Sequence, residues 1–297
     1  MTHHRRLGAL ALVLFGCTQA APPPETAQSA TQAAAPEASA RLEQILAAQS
    51  DADKARYPHR HPKELLEFFG VQPGMTVVDT LPGPVWYTGI LLSYLGPTGK
   101  VVDADYSPEM WTKFGSYSPD PKTKETWVAD TLGKLEAQRK PDEAAVAAFQ
   151  YGAVPDEMAG TVDVVLVVRA MHHFMRLEQS GGYMTKALAD IKKLLKPGGI
   201  VGVEQHRAPE SSPDPSTNGD RGYVKQSAVI AAFKTAGFEL VDQSEINANP
   251  KDQPTETDVV WRLPPTLATS KDNPELKAQF EAIGETDRMT LKFKKPQ

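Results

Sequence analysis

The sequence predicts a doubly wound α/β fold built around one mostly parallel sheet. Three observations predict it. Short apolar runs alternate with helical patterns along most of the chain. One of those runs, "VDVVLVV" at Val162–Val168, is apolar at every position but one, which is the composition of a strand covered on both faces. Charged and imidazole side chains stand at the ends of several of the strands, where open sheets of this kind bind ligands. With 297 residues, 40% of them hydrophobic and 23% charged, the chain is long enough to bury such a core.

The elements follow in order. "RLEQILAAQ", Arg41 to Gln49, spaces Leu42, Ile45 and Leu46 along one helical face, and "HPKELLEFFG" sets Pro62 at a helix start and Gly70 just past its end. "GMTVVDT" is a short buried strand. "WYTGILLSYLG" is a helix ending at Gly96, and "GKVVDAD" is a second apolar strand that closes on acid. Beyond Val162–Val168, the spacing predicts a helix over Ala187–Gly199, stopped by proline and glycine and feeding the strand "IVGVEQH". "YVKQSAVIAAFKTAGF" is a helix capped at Gly237, followed by the strand "FELVDQS". The closing "RMTLKFKK" alternates as an edge or hairpin strand does. No internal repeat is present.

The N-terminus carries a different signal. Arg5 and Arg6 precede an apolar run from Leu7 to Gly16 that is too short to span a bilayer, the pattern of an export signal over residues 1–16. The run ends in Leu14-Phe15-Gly16-Cys17, which resembles the lipobox of bacterial lipoproteins and implies lipidation of Cys17, the only cysteine in the chain. From residue 17 to residue 40 the composition is Ala, Pro, Thr, Gln and Ser with no large apolar side chain, so a disordered tether is expected there, with a reach on the order of 25 to 30 Å. The folded domain is then residues 41–297, and the expected location is periplasmic, anchored to the cell envelope through lipid alone. The net charge of −5 falls to −7 once the two arginines of residues 1–16 leave, which argues against nucleic acid and against a basic membrane-binding face.

The strand ends carry the candidate site. Asp79 follows the first strand and Asp103 and Asp105 the second; Arg169, His172 and His173 follow Val162–Val168, and Glu204, His206 and Arg207 close the next. The fold would bring them to one edge. His172 and His206 are candidates for a base or substrate clamp, since imidazole changes charge near neutrality, and Arg169 and Arg207 for holding a carboxylate or phosphate. His59, His61, His172, His173 and His206 lack the helical spacing and companion cysteines of a zinc site, so no metal is expected. Asp287 and Arg288 are read as an ion pair locking the last strand. An insertion over about 247–284 interrupts the sheet, and a segment of that length serves as a lid or substrate loop, with Trp261 and Arg262 toward the cleft.

Taken together, "VVDTLPGPVWYTGILLSYLGPTGKVVDADYSPEM" is similar to the first two motifs of class I S-adenosylmethionine-dependent methyltransferases: strand, acid, glycine turn, helix, strand, acid. With "YPHRHPKELLEFFGVQPGMTVVD", "VRAMHHFM", "LLKPGGIVGVEQHRA" and "IGETDRMTLKF", the chain from about Ala55 onward resembles a family of exported, predicted methyltransferases of bacteria. The resemblance implies a Rossmann-like fold, S-adenosyl-L-methionine as cofactor, a small-molecule acceptor, Asp79 and Gly83 at the amino-acid part of the cofactor, and Asp105, with Asp103 as the fallback, accepting its ribose hydroxyls. Trp86 or Tyr106 would pack on adenine or shield the sulfonium, or belong to the core. The pattern departs at the turn. Leu81 and Val85 stand where such enzymes have their first and third glycines, and Pro84 has no N–H to donate. A non-catalytic ligand-binding lipoprotein that kept the fold is therefore the alternative.

Overall fold

The apolar runs divide their side chains between two faces, as the two-residue repeat of a strand requires. We describe the protein from a computed structural model, which covers residues 1–2, 26–83 and 85–297. The strands are β1 (Thr76–Thr80), β2 (Lys100–Asp105), β3 (Ala145–Gln150), β4 (Val162–Val168), β5 (Leu195–Ala208), β6 (Val224–Lys225), β7 (Glu239–Ser244) and β8 (Arg288–Lys294). Their order is β3-β2-β1-β4-β5-β8-β7, with β6 paired to β5. The strands from β3 to β5 are parallel neighbours, and β8 runs antiparallel to both β5 and β7. On one face Val77, Val101, Val164 and Leu166 pack with Leu65, Leu66 and Phe69 of the helix Pro62–Phe69 and with Ile90, Leu91 and Leu95 of the helix Trp86–Leu95. On the other, Val78, Val102, Val165, Val167 and Val203 pack with Phe174, Leu188, Ile191 and Phe233 from the helices Met171–Arg176, Tyr183–Leu194 and Gln226–Thr235.

Several sequence expectations need correction. The closing strand is not at an edge: β8 lies inside the sheet between β5 and β7, where Leu291 and Phe293 are fully buried. The helix expected over Ala187–Gly199 runs Tyr183–Leu194, and Pro197, Gly198 and Gly199 belong to β5. The sequence reading places no strand at the edge strand β3, because half of "AVAAFQ" is alanine, which carries little strand preference.

The chain divides into two units, Met1–Glu37 and Ala38–Gln297. The helix expected to begin at Arg41 spans Thr26–Ala47, so residues 26–40 of the expected tether have helical backbone, as their alanine content favours. Cys17 and all but the first two residues of the expected signal lie outside the described residues, as does Pro84. Among the described residues no helix is long and apolar enough to cross a membrane.

Gly202 shows how tightly the sheet is covered. It sits in β5 between Leu166 and Lys292, and a Cβ there would lie 2.5 Å from the ring of Phe69, itself fully buried. Gly202→Ala is expected to destabilise the protein by about 1–3 kcal/mol through overpacking, measured as a lower midpoint of urea unfolding. An unchanged midpoint would show that the helix can lift without cost.

Candidate active site

Parallel strands with right-twisted crossovers deliver their carboxyl ends to one edge, and the turn after β1 is the pivot of what gathers there. Leu81, Gly83 and Val85 have φ of 56°, 55° and 56°, the left-handed conformation that favours glycine. The backbone therefore keeps a glycine shape at the two positions where the resemblance expects glycine and the sequence has Leu81 and Val85. Val85, a β-branched residue, bears the greater steric cost and remains 38% exposed. A Cβ on Gly83 would meet only the Leu81 carbonyl, at 3.8 Å, so the turn faces open space.

Leu81, Pro82 and Gly83 border two hollows. One, of about 650 Å³, is walled by Asp103, Asp105, Trp111, Lys124 and Trp127. The other, of about 290 Å³, is lined by Asp79, Trp86, Arg169, His172 and His206. Arg60, Glu285, Arg288 and Trp261 complete that second wall. Six of the eight residues proposed from sequence for catalysis and cofactor binding, Asp79, Gly83, Trp86, Arg169, His172 and His206, are thus brought together. Asp105 belongs to the first hollow.

The acids at the strand ends are not free carboxylates. The Thr88 hydroxyl lies 3.0 Å from Asp79 Oδ2 and 2.8 Å from Asp103 Oδ1, and its single proton can serve only one of them. The second contact needs a proton on a carboxyl group. Burial, reinforced by Asp103, pushes Asp79 up to about 8, and burial pushes Asp103 up to about 6. Asp79 is therefore the acid that holds the proton at neutrality. Asp105 is also raised by burial, against the opposing pull of Lys124. Its Oδ2 accepts from Lys124 Nζ at 2.8 Å, and its Oδ1 accepts from the Tyr106 amide at 2.8 Å and Trp111 Nε1 at 3.1 Å. The carboxylate expected to receive ribose hydroxyls is already engaged.

The basic residues separate into engaged and unengaged groups. Arg207 is corrected: it grips Asp287 through Nε and Nη2 at 2.8 and 3.0 Å and Glu245 through Nη1 and Nη2 at 2.9 and 2.7 Å, and it does not line the cavity. It joins β5 to the loops on either side of the insertion. Arg169, with φ of 55°, has a buried Nε with no partner among the described residues. Burial, then the nearby Arg60, lowers its pKa. His172 Nδ1 is 3.3 Å from Gln205 Oε1, while its Nε2 is buried and unpartnered. Burial pushes His172 down to about 4, and burial with the neighbouring His172 and arginines holds His206 well below the usual imidazole value. Both rings are neutral at pH 7, which makes them hydrogen-bonding groups and weak bases. His206 Nδ1 is 2.6 Å from Thr286 Oγ1.

The expected Asp287–Arg288 ion pair is corrected: Arg288 pairs with Glu204 at 2.7 Å and Glu285 at 2.5 Å, while the carboxylate of Asp287 pairs with Arg207. Of the insertion's two candidates, Trp261 lines the cavity and Arg262 is buried against Asp252 at 2.7 Å. Tyr106 is a core residue whose hydroxyl donates to the Ala170 carbonyl at 3.0 Å. Sequence reading missed Thr88, Arg60, Trp111 and Lys124. Thr88 had a signal, a polar residue inside the apolar "WYTGILL"; the others had none beyond their type. Among the described residues no group of three or more His, Cys, Asp or Glu side chains is placed to hold a metal ion.

An adenosyl cofactor fits this arrangement in shape. The turn keeps a left-handed path, the side chains of Leu81 and Val85 line the larger hollow, and that hollow brings two indoles beside an acid at the end of β2. One contact, Lys124 on Asp105, must be exchanged.

No protein-family model and no curated protein sequence matches the chain. Solved structures do. The [4+2]-cyclase SpnF is similar at 14% identity and a TM-score of 0.50, over 80% of this chain and 80% of that one. A SAM-dependent methyltransferase from Aquifex aeolicus is 19% identical with a TM-score of 0.45, over 69% of this chain and 93% of its own. Geranyl diphosphate C-methyltransferase from Streptomyces coelicolor A3(2), in complex with Mg²⁺, geranyl-S-thiolodiphosphate and S-adenosyl-L-homocysteine, is 12% identical with a TM-score of 0.49, over 79% and 75%. With its strand order and its antiparallel β8, the chain has a Rossmann-like α/β fold with a mostly parallel sheet, which it shares with that cyclase.

Proposed function

We propose that this protein transfers a methyl group from S-adenosyl-L-methionine to a small molecule, and that it does so in the cell envelope, exported and held by a lipid on Cys17. The observation that carries the reading is the turn. Leu81, Gly83 and Val85 all keep the left-handed backbone, and they do so between a hollow that ends on Asp105 and a cavity lined by Arg169, His172 and His206. Non-glycine residues in that conformation cost about 1–3 kcal/mol each, a strain that collects at ligand sites. The location rests on the sequence of residues 1–17 alone.

When bound, the cofactor supplies a methyl group already activated by its sulfonium. The chain's own residues then have positioning to do. Asp105 would hold the ribose once Lys124 swings away, Trp111 and Trp127 would flank the adenine, and Asp79 with the Gly83 backbone would hold the amino-acid part. His172, neutral with an uncommitted Nε2, orients an acceptor group by hydrogen bonding. Held down to about 4, it removes protons poorly, so the arrangement suits an acceptor that needs little deprotonation.

The ion pair on Asp105 favours a second reading, a non-catalytic binding protein that kept the fold. Calorimetric titration of the full chain with S-adenosylhomocysteine separates the two. Methyl transfer expects saturable binding, tightened about tenfold in Lys124→Ala, because the ligand no longer displaces a charge-assisted hydrogen bond. No heat at millimolar ligand, in wild type and in Lys124→Ala alike, would leave the binding protein.

A further inference from the structure

The smaller cavity is rich in cationic side chains. Its wall carries four arginines, Arg56, Arg60, Arg169 and Arg288, in a chain whose formal charge is −5. Only two acids share that wall, Asp79 and Glu285. Glu285 is taken: Arg60 Nε reaches its two oxygens at 3.1 and 3.2 Å, and Arg288 Nη1 lies 2.5 Å from Oε2. Arg288 is further engaged by Glu204 at 2.7 Å. Arg169 has no carboxylate within ion-pairing distance among the described residues.

Unpartnered donors sharpen the assignment. Trp86 Nε1, Tyr87 Oη and Arg169 Nε all belong to residues of this wall, all are buried, and none has a hydrogen-bond partner among the described residues. Trp86 is 8% exposed and Tyr87 4%. Buried donors without acceptors are rare, because each forfeits the hydrogen bond it would make to water. These atoms are enclosed in the wall, so a group rich in acceptors meets the partly exposed Arg169 guanidinium first and the enclosed donors only as the wall yields. Val168, Val260, Trp261, Pro264 and Pro265 supply an apolar part of the lining beside histidines and threonines, and about 290 Å³ holds on the order of ten water molecules. That is room for a ring-sized body.

We propose that this cavity is an oxyanion site, in which Arg169, Trp86 and Tyr87 hold the carboxylate or phosphate of a small ligand whose apolar body lies against Trp261 and the adjacent prolines. The proposal deepens the methyl-transfer reading by assigning the chemical class of the acceptor, and it rests on that reading only for the word acceptor. The anion site itself stands without the cofactor.

The test uses the full chain with benzoate, phenyl phosphate and the neutral benzamide, titrated by calorimetry with and without saturating S-adenosylhomocysteine. At least one of the two anions binds, the stronger of them naming the headgroup, and benzamide binds at least tenfold more weakly. Arg169→Gln weakens the anion about tenfold, with Arg169→Lys recovering part of the loss and the thermal unfolding midpoint serving as the control for folding. Trp86→Phe, which keeps an aromatic ring but removes the N–H together with part of the indole's volume, weakens it several-fold, the thermal midpoint again serving as the control for packing. Benzamide binding as well as benzoate, or anion affinity unmoved in both Arg169→Gln and Trp86→Phe, overturns the proposal. Mutually exclusive binding of benzoate and S-adenosylhomocysteine also overturns it, since the arginines would then serve the cofactor's own carboxylate. Anion binding without any response to S-adenosylhomocysteine would sink methyl transfer and leave the anion site intact.

Discussion

Arg288→Ala is expected to cost the fold about 3–5 kcal/mol, the usual penalty for leaving a buried charge without its partner. Arg288 opens β8 and is 2% exposed. It lies 2.7 Å from Glu204 and 2.5 Å from Glu285, and its Nη2 donates to the His59 carbonyl. Arg60 also binds Glu285, so the cluster ties the segment before Pro62 to the inner strands β5 and β8. Glu204 is fully buried, and neither of its oxygens has a well-directed hydrogen bond. Without Arg288 it must be protonated or rehydrated, and either response disturbs the centre of the sheet. The variant should unfold at a markedly lower urea concentration with an unchanged slope, whereas Arg288→Met combined with Glu204→Leu should recover most of the loss, because it removes both charges together. A single-variant cost under about 1 kcal/mol would mean that water already reaches the cluster.

The second large effect is one of pH. In the folded protein burial pushes Asp79 up to about 8, with Asp103 adding to it, while an unfolded aspartate titrates near 4. Between those values the folded state holds a proton that the unfolded state has released. Stability from this residue is therefore complete below about pH 4 and declines as pH rises to about 8, by roughly 1.4 kcal/mol per unit at most. Asp103, pushed up to about 6, acts in the same direction over the lower half of that window. Asp79→Asn keeps a donor toward Thr88 and removes the titration. The variant should match wild type near pH 4 and exceed it increasingly toward pH 8, by roughly 2 kcal/mol or more. The measurement is denaturant unfolding of both proteins at four or five pH values. A constant difference between them across that range would show that Asp79 titrates normally.

Both effects depend on residues whose places in the chain say little about their partners. Arg60 and Glu285 are 225 positions apart and share a hydrogen bond. Arg207 was read as a substrate clamp because it follows a strand; two carboxylates, one from the turn after β7 and one just before β8, consume its guanidinium. Asp105 was expected to await a ribose, and Lys124 reaches it from a segment that carries no recognisable motif. The turn went the other way. Its sequence argues for a lost glycine conformation, yet Leu81 and Val85 adopt that conformation, since the strand before them and the helix after them dictate the path between.

The sequence by itself determined the parallel core, the edge at which Asp79, Arg169, His172 and His206 meet, and the helices that cover the sheet. Those follow from hydrophobic period and from turn and cap residues, which act over a few neighbouring positions. Tertiary structure alone decided that β8 lies inside the sheet, which charges neutralise one another, and which buried donors are left without a partner among the described residues. Such outcomes turn on distances of a few ångströms between segments far apart in the chain, and no local pattern encodes them.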